Sequence, residues 1–486
     1  MTRRTQFRLL VAFTIVWLAW AVWALLGQSQ PFQLQVLDDL GSPVASAVVD
    51  SGGSQVGATG EDGQVEIVWT RSTKVLEVSA PGHISRRITL ADPPQDEFEV
   101  VLKARVLRGR VVDPDGEGVA AATVQAGDAT TTTDSEGYFE LRGAEEGTVE
   151  VSRPAWISDS FTWEGGSGES VVEIEPFVAR AVHIDGESMR NDFQRFFDMA
   201  METELNALMI DLKDETGEVW YDTENPIAVD IGAADGAYDL EETVEQAHDQ
   251  GLYVIGRLVL FNDPIAAVSK PEMAVWDTEL DAPYESRGQY FLDPTDPDAR
   301  QYGLDLAVEA CSAGLDEIQF DYVRFPDSRG DSATFDGGVS RETRVATVTS
   351  FLEEATDLLR PMGCAVAADI FGYLTTSPDD GGIGQLWEEV AATVDVVSPM
   401  IYPSHYHPEF FGFPSNEFPG RVVEEALADG MERINHQVIV RPWLQDFGYD
   451  SSLVREQISA AESYGLGWML WNAESRVTTE ALQAAE

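Results

Sequence analysis

Carboxylates placed at the ends of apolar, strand-like runs are the residues of this sequence with chemistry to offer. Asp321 closes the run EIQFD, and Asp369 stands inside AVAADIFGY. An apolar run has no reason to hold a charge unless it lines a polar pocket, because an unpaired buried carboxylate is costly. On adjacent strands the two carboxyl groups would approach each other. Paired carboxylates about 5 to 9 Å apart in a cleft are what hydrolysis of a glycosidic bond needs, one as acid and one as nucleophile or base. We assign Asp321 as nucleophile or base and Asp369 as general acid, an assignment that residue types alone allow to be reversed.

Further polar groups gather at the ends of the same kind of run. Asp211 and Lys213 end a second strand, and Arg257 lies on a third. Tyr322 and Arg324 follow Asp321. Tyr402, Ser404 and His405 end a sixth strand, Arg441, Trp443 and Gln445 mark a seventh, and Trp471, Asn472 and Glu474 an eighth. Side chains two apart on a strand share a face, which groups Gln319, Asp321 and Val323, and Asp211 with Lys213. Asp211, Lys213, Arg257, Tyr322, Arg324, Tyr402, His405, Arg441, Trp443, Gln445, Trp471 and Asn472 are the expected substrate contacts, with Tyr373 and the other aromatic rings as stacking surface. The plainer alternative is that Lys213 and Arg257 neutralise Asp211 and Asp321 as buried pairs, that the rings are core, and that His405 is structural. The histidines have no H-E-x-x-H spacing, so neither a catalytic metal nor another cofactor is expected.

The elements that must position these residues follow a clear rhythm. Eight short apolar runs begin near Val182, Ala207, Tyr253, Glu317, Ala365, Val396, Val438 and Leu466. Amphipathic stretches lie between them, such as ETVEQAHDQG ending at Gly251 and RVATVTSFLEEATDLLRPMG ending at Gly363, each closed by the glycine that helix ends favour. Eight such units over about 300 residues predict a (β/α)₈ barrel across 177–486, with catalytic groups at the C-terminal ends of its strands. A doubly wound open sheet is the runner-up, but no Gly-rich phosphate turn follows the first strand.

Ahead of the barrel two segments repeat each other with a period of about 74 residues. VLDDLGSPVASAVV from Val36 corresponds to VVDPDGEGVAAATV from Val111, and ATGEDGQVEI from Ala58 to TTDSEGYFEL from Thr132. Short alternating runs broken by Asp-Gly and Glu-Gly turns predict two small β-sandwiches, 31–103 and 104–176. No catalytic pair recurs between them. They read as spacers, with sugar or wall binding as the other possibility.

Arg3, Arg4 and Arg8 precede the uncharged run Leu9–Leu26, which as a helix spans roughly 27 Å, about one bilayer core. Residues 1–30 are therefore expected to form a single-pass transmembrane anchor that leaves the rest outside the cell. A cleaved signal peptide is the alternative, with Ala19-Trp20-Ala21 as its site. The formal net charge is −54, with 85 acidic and 31 basic residues. That balance repels nucleic acid and describes a halophilic-type acidic surface, whose self-repulsion is screened over about 3 Å at 1 M salt. Cys311 and Cys364 fall near the predicted bottom of the barrel. They are read as two buried thiols, with a disulfide open to an exported chain.

The quoted repeats resemble carboxypeptidase regulatory-like domains, although Gly118 stands where the second copy would carry proline. The runs NALMIDLKDETGEVWYDT, GRLVLFNDP, LDEIQFDYVRFP, ADIFG, SPMIYPSHY, RPWLQDF and WMLWNAES, in order over about 290 residues, resemble a bacterial glycoside hydrolase-like family long classed as a domain of unknown function. The resemblance implies a TIM barrel related to glycosidases and a polysaccharide as partner. The fourth strand is also similar to the chitinase-type D-x-x-D-x-D-x-E motif, with Asp316, Gln319 and Asp321 in its first three positions. Val323 stands where that motif has its acid, so the chitinase mechanism does not carry over. The expected activity is an outward-facing glycoside hydrolase, and the alternative is a non-catalytic polysaccharide-binding barrel that organises wall or capsule.

Overall fold

Strong alternation of apolar and polar residues in the N-terminal third produces sandwiches. The computed structural model describes residues 14–17, 29–70, 73–92, 94, 97–166, 168–327, 329–434 and 437–485. It divides into two units, one of Met1–Ser152 with Ser158–Glu175, the other of Arg153–Ile157 with Pro176–Glu486. The expected anchor lies almost wholly outside the described residues, among which no helix is long and apolar enough to cross a membrane.

In the first unit Gln30–Asp38 pairs with Gln64–Trp69 and Phe98–Ala104, facing a second sheet built on Val48–Ser51 and Val75–Ser79. Leu34, Val36, Val49, Leu76, Val100 and Leu102 fill the space between them. The repeat is visible in single hydrogen bonds. Thr59 Oγ1 donates to Val44 O at 2.7 Å and accepts from Ala47 N at 2.8 Å. Thr133 Oγ1 does the same with Val119 O at 2.6 Å and Ala122 N at 2.9 Å. Each copy also holds a non-glycine residue, Ser46 or Ala121, at φ +55°.

The second unit is a closed barrel. Its strands are β1 Arg180–Ile184, β2 Ala207–Lys213, β3 Tyr253–Val259, β4 Glu317–Asp321, β5 Ala365–Phe371, β6 Val396–Ile401, β7 in two pieces Ile439–Val440 and Trp443–Gln445, and β8 Trp468–Trp471. Neighbours pair in parallel all the way round, and β1 closes the ring by pairing with both β8 and β2. That closure excludes the open sheet. Helices follow the strands, and both predicted helix ends are found. Leu240–His248 stops just before Gly251 at φ +74°, and Arg341–Leu359 runs into a turn closed by Gly363 at φ +86°.

Alternation sorts the two faces of each strand. On β4, Ile318 and Phe320 join the core under the helices, while Glu317, Gln319 and Asp321 occupy the other face. On β5 Val366, Ala368 and Ile370 point to that same core, which leaves Ala365, Ala367 and Asp369 for the interior. Cys311 and Cys364, expected as separate thiols, form a disulfide with Cα atoms 5.9 Å apart. The tail of the helix before β4 and the residue before β5 meet at the bottom of the barrel, which brings the sulfurs within bonding reach.

Candidate active site

Arg257, inside the barrel on β3, organises the top of the interior. Its Nη1 donates to Asp211 Oδ1 at 3.0 Å. Nε and Nη2 donate to Asp321 Oδ2 at 3.0 and 2.6 Å. Nη2 also donates to Glu215 Oε1 at 2.5 Å. The guanidinium lies 4.7 Å from the centre of the Trp471 ring. Burial works against its charge, but Glu215, Asp321 and Asp211 outweigh burial and raise its pKa well above the ordinary arginine value.

Beneath it, Asp211 Oδ2 lies 3.0 Å from His183 Nε2, and His183 Nδ1 lies 2.9 Å from Asn472 O. The imidazole stacks on Trp471 with centroids 4.2 Å apart. Burial opposes charge on both groups, yet the pairing prevails. It raises the His183 pKa and, with Arg257, lowers that of Asp211.

Asp321 sits at the top of β4 with its carboxylate at the base of a cavity. Tyr322 takes φ +51°, a left-handed conformation that costs a bulky residue roughly 1–3 kcal/mol. The bend returns the Tyr322 N–H to Asp321 Oδ1 at 2.7 Å, so one oxygen is held by the backbone and the other by Arg257. Asp369 on β5 lies one layer deeper. Its Oδ1 accepts from Trp443 Nε1 at 2.7 Å and from Gln319 Nε2, and its Oδ2 has no partner among the described residues. Burial, followed by the nearby charge of Asp321, pushes its pKa well above the usual carboxylate range. A protonated carboxyl with one accepting oxygen satisfies both observations.

The cavity above measures about 720 Å³. Of the residues expected at the site, Arg257, Asp321, Tyr322, Arg324, Tyr402, His405, Trp443 and Trp471 line it, together with Tyr373. Arg324 is buried among rings, with its guanidinium 4.6 Å from Tyr322 and 4.9 Å from Phe371. Burial lowers its pKa. Burial likewise lowers that of His405.

The structure places the other expected residues elsewhere. Asp211 and Asp369 lie under the lining, held as just described. Lys213 does not share a side with Asp211, because a register shift between them breaks the alternation. Its Nζ instead meets Asp263 Oδ2 at 2.9 Å and Val259 O at 2.7 Å. Arg441 pairs with Glu317 at the start of β4, deep in the barrel, where a buried charge needs its counter-ion. Gln445 accepts from Ser404 N at 3.0 Å and donates to Phe447 O at 2.8 Å. Asn472 Nδ2 donates to Asp446 O at 2.6 Å. Both are consumed in holding loops. Glu474 is exposed and paired with Arg476 at 2.5 Å.

The cavity also has lining residues that sequence reasoning missed, chiefly Glu215, Arg287, Asp327, Phe371, Tyr406, His407 and Phe410. Glu215 stands in the run DLKDETGE just after β2, and that charged turn was its only signal. His405 and His407 are two apart, but no group of three or more potential metal ligands occurs among the described residues.

A family model described as "Putative glycosyl hydrolase domain" matches residues 181–477. A carboxypeptidase regulatory-like domain model matches residues 106–155. No curated protein matches the chain. Among solved structures, a hypothetical protein from Ruminiclostridium thermocellum is 35% identical over 39% of this chain and 96% of its own, with a TM-score of 0.35. The PgaB (BpsB) glycoside hydrolase domain from Bordetella bronchiseptica is 14% identical over 61% of this chain and 95% of its own, with a TM-score of 0.43. The glycoside hydrolase domain of PelA from Pseudomonas aeruginosa is 9% identical over 63% and 98%, with a TM-score of 0.38.

Proposed function

We propose, from the premise that the chain belongs to this glycosyl hydrolase-domain family, that its barrel hydrolyses glycosidic bonds in a cell-surface or extracellular polysaccharide. One observation carries the reading. Asp321 presents a carboxylate held by Arg257 and by the backbone to a cavity walled with Tyr402, Trp443 and Trp471. A fixed carboxylate suits attack on an anomeric carbon or activation of water, and aromatic faces suit sugar rings. Asp369, expected as the general acid, lies under the lining, where burial and the charge of Asp321 favour its protonated form.

Residues 1–30 anchor the chain in the cell membrane by a single pass. The carboxypeptidase regulatory-like segments 31–103 and 104–176 act as spacers, and the barrel of 177–486 works outside the cell. The Cys311–Cys364 disulfide fits an oxidising compartment. Removal of residues 1–30 then moves the protein from the membrane fraction to the soluble fraction. A truncated protein that stays with membranes removes the anchor.

The test of the activity is release of reducing ends from purified cell-surface polysaccharides by the full chain, with Asp321→Asn as control. Release that Asp321→Asn abolishes supports the hydrolase. Tight binding without release by the wild type favours the non-catalytic wall- or capsule-organising barrel instead.

A further inference from the structure

Two carboxylates, not one, face the cavity from the Arg257 hub. Asp321 Oδ2 and Glu215 Oε1 accept from the same nitrogen, Arg257 Nη2, at 2.6 and 2.5 Å. The two oxygens are therefore no more than about 5.1 Å apart. Retaining glycosidases hold their carboxyl groups at about 5–5.5 Å, whereas inverting ones leave about 6.5–9.5 Å for a water between them. Asp369 lies under the lining and cannot be the second member of a cavity-facing pair.

Glu215 is also built into place. It rides on the tight turn that joins β2 to the short strand Val219–Tyr221. Asp214 Oδ1 accepts from Thr216 N at 2.9 Å, and Gly217 N donates to Asp214 O at 3.1 Å. Gly217 takes φ +86°, and a Cβ there would stand 2.5 Å from Asp263 Oδ1. The turn thus requires glycine both for its conformation and for its close approach, and it fixes the carboxylate beside it.

We infer that Glu215 is the acid/base partner of Asp321 and that the barrel cleaves glycosides with retention of configuration. This rests on the hydrolase reading above. In the first step Asp321 forms a bond to the anomeric carbon as the glycosidic C–O bond breaks. The leaving oxygen takes the proton from Glu215. In the second step Glu215 takes a proton from water, the water oxygen bonds to the anomeric carbon, and Asp321 departs as carboxylate. The exposures at the hub suit this cycle. Asp211, Glu215 and Asp321 share Arg257, and His183 serves Asp211 alone. Glu215, with a side chain 35% exposed against 3% and 8% for Asp211 and Asp321, is the member of the three that solvent reaches, as an acid/base residue requires.

The experiment uses the full chain, unactivated cell-surface polysaccharide, and a panel of 2,4-dinitrophenyl glycosides of common hexoses and N-acetylhexosamines. The first sugar released by the wild type, followed by NMR, keeps the anomeric configuration of its substrate. Glu215→Gln lowers the rate on polysaccharide by about 10²–10⁴. On the dinitrophenyl glycoside it still gives an initial burst, because that leaving group needs no acid. Azide restores turnover of Glu215→Ala and yields a glycosyl azide of the original configuration. An inverted first product, or full activity of Glu215→Gln on polysaccharide, overturns the assignment while leaving the hydrolase intact. A wild type that cleaves nothing in either set overturns both. The product configuration is read on the wild type, so it decides the matter even where a variant misfolds.

Discussion

Trp443 Nε1 donates to Asp369 Oδ1 at 2.7 Å, so one indole both faces the cavity and fixes the carboxyl behind it. With that oxygen also taken by Gln319, the proton of Asp369 belongs on Oδ2. The arrangement ties a carboxyl that lies under the lining to the wall of the cavity.

The proton on Asp369 has a signature in stability. Its folded pKa is raised by burial and then by Asp321, while the unfolded value is about 3.9. The folded state therefore holds a proton that the unfolded chain releases. The contribution is complete below about pH 4 and is lost as pH rises toward the folded value, at up to about 1.4 kcal/mol per pH unit. Asp369→Asn has no such drift. Urea unfolding at pH 4 to 8 should show the variant gaining on the wild type as pH rises, and parallel curves would show Asp369 to be ionised.

Asp321→Asn leaves Arg257 with Asp211 and Glu215, so the fold keeps its counter-ions. We expect a small change in melting temperature, with sugar binding retained and turnover reduced by about 10²–10⁴ or more. Arg257→Gln strips the cation from three carboxylates and should cost about 3–5 kcal/mol. Melting and turnover measured on the same samples separate the two. An Asp321→Asn protein as unstable as Arg257→Gln would make Asp321 a structural counter-ion.

Lys213→Met should behave in the opposite way to a cavity residue. It leaves Asp263 buried without its cation, at a cost of about 3–5 kcal/mol. Activity per folded molecule and affinity for sugar should not change. Weaker sugar binding by a folded Lys213→Met protein would return Lys213 to the cavity.

The surface charge gives a prediction that needs no variant. At a net charge of −54 the fold repels itself, and the screening length falls from about 10 Å at 0.1 M salt to about 3 Å at 1 M. The melting temperature should rise with sodium chloride over that range. A flat or falling response would remove the salt-adapted reading.

The barrel was legible because its strands alternate over enough residues to overcome local noise. β4 shows this best, since EIQFD places Glu317, Gln319 and Asp321 on one face and that is where they lie. The depth of a residue along the strand was far less legible. Arg441 and Arg257 look alike in sequence, yet one sits low beside Glu317 and the other high beside Asp321. Lys213 was misplaced because alternation assumes an unbroken ladder, and a single register shift reversed its side. Glu215 was missed because it belongs to a turn, where no period says which way a side chain faces. The pairing of Cys311 with Cys364 depended on two segments meeting beneath the barrel, and thiol spacing does not encode that.

That bridge spans a sequence separation of 53 residues and encloses all of β4 with the loop that follows it. Asp321, Tyr322, Arg324 and Asp327 thus lie on a closed covalent ring. The loop contains exposed stretches near Asp331 and Arg341, the kind of site where an extracellular protease cuts first. A single cut there opens the ring without dividing the molecule, since both new ends stay tied through the sulfurs. The nicked protein should run at full size on a denaturing gel without reductant and as two pieces with it. Wherever a protease reaches this loop, the disulfide keeps the strand that bears Asp321 attached after the cut.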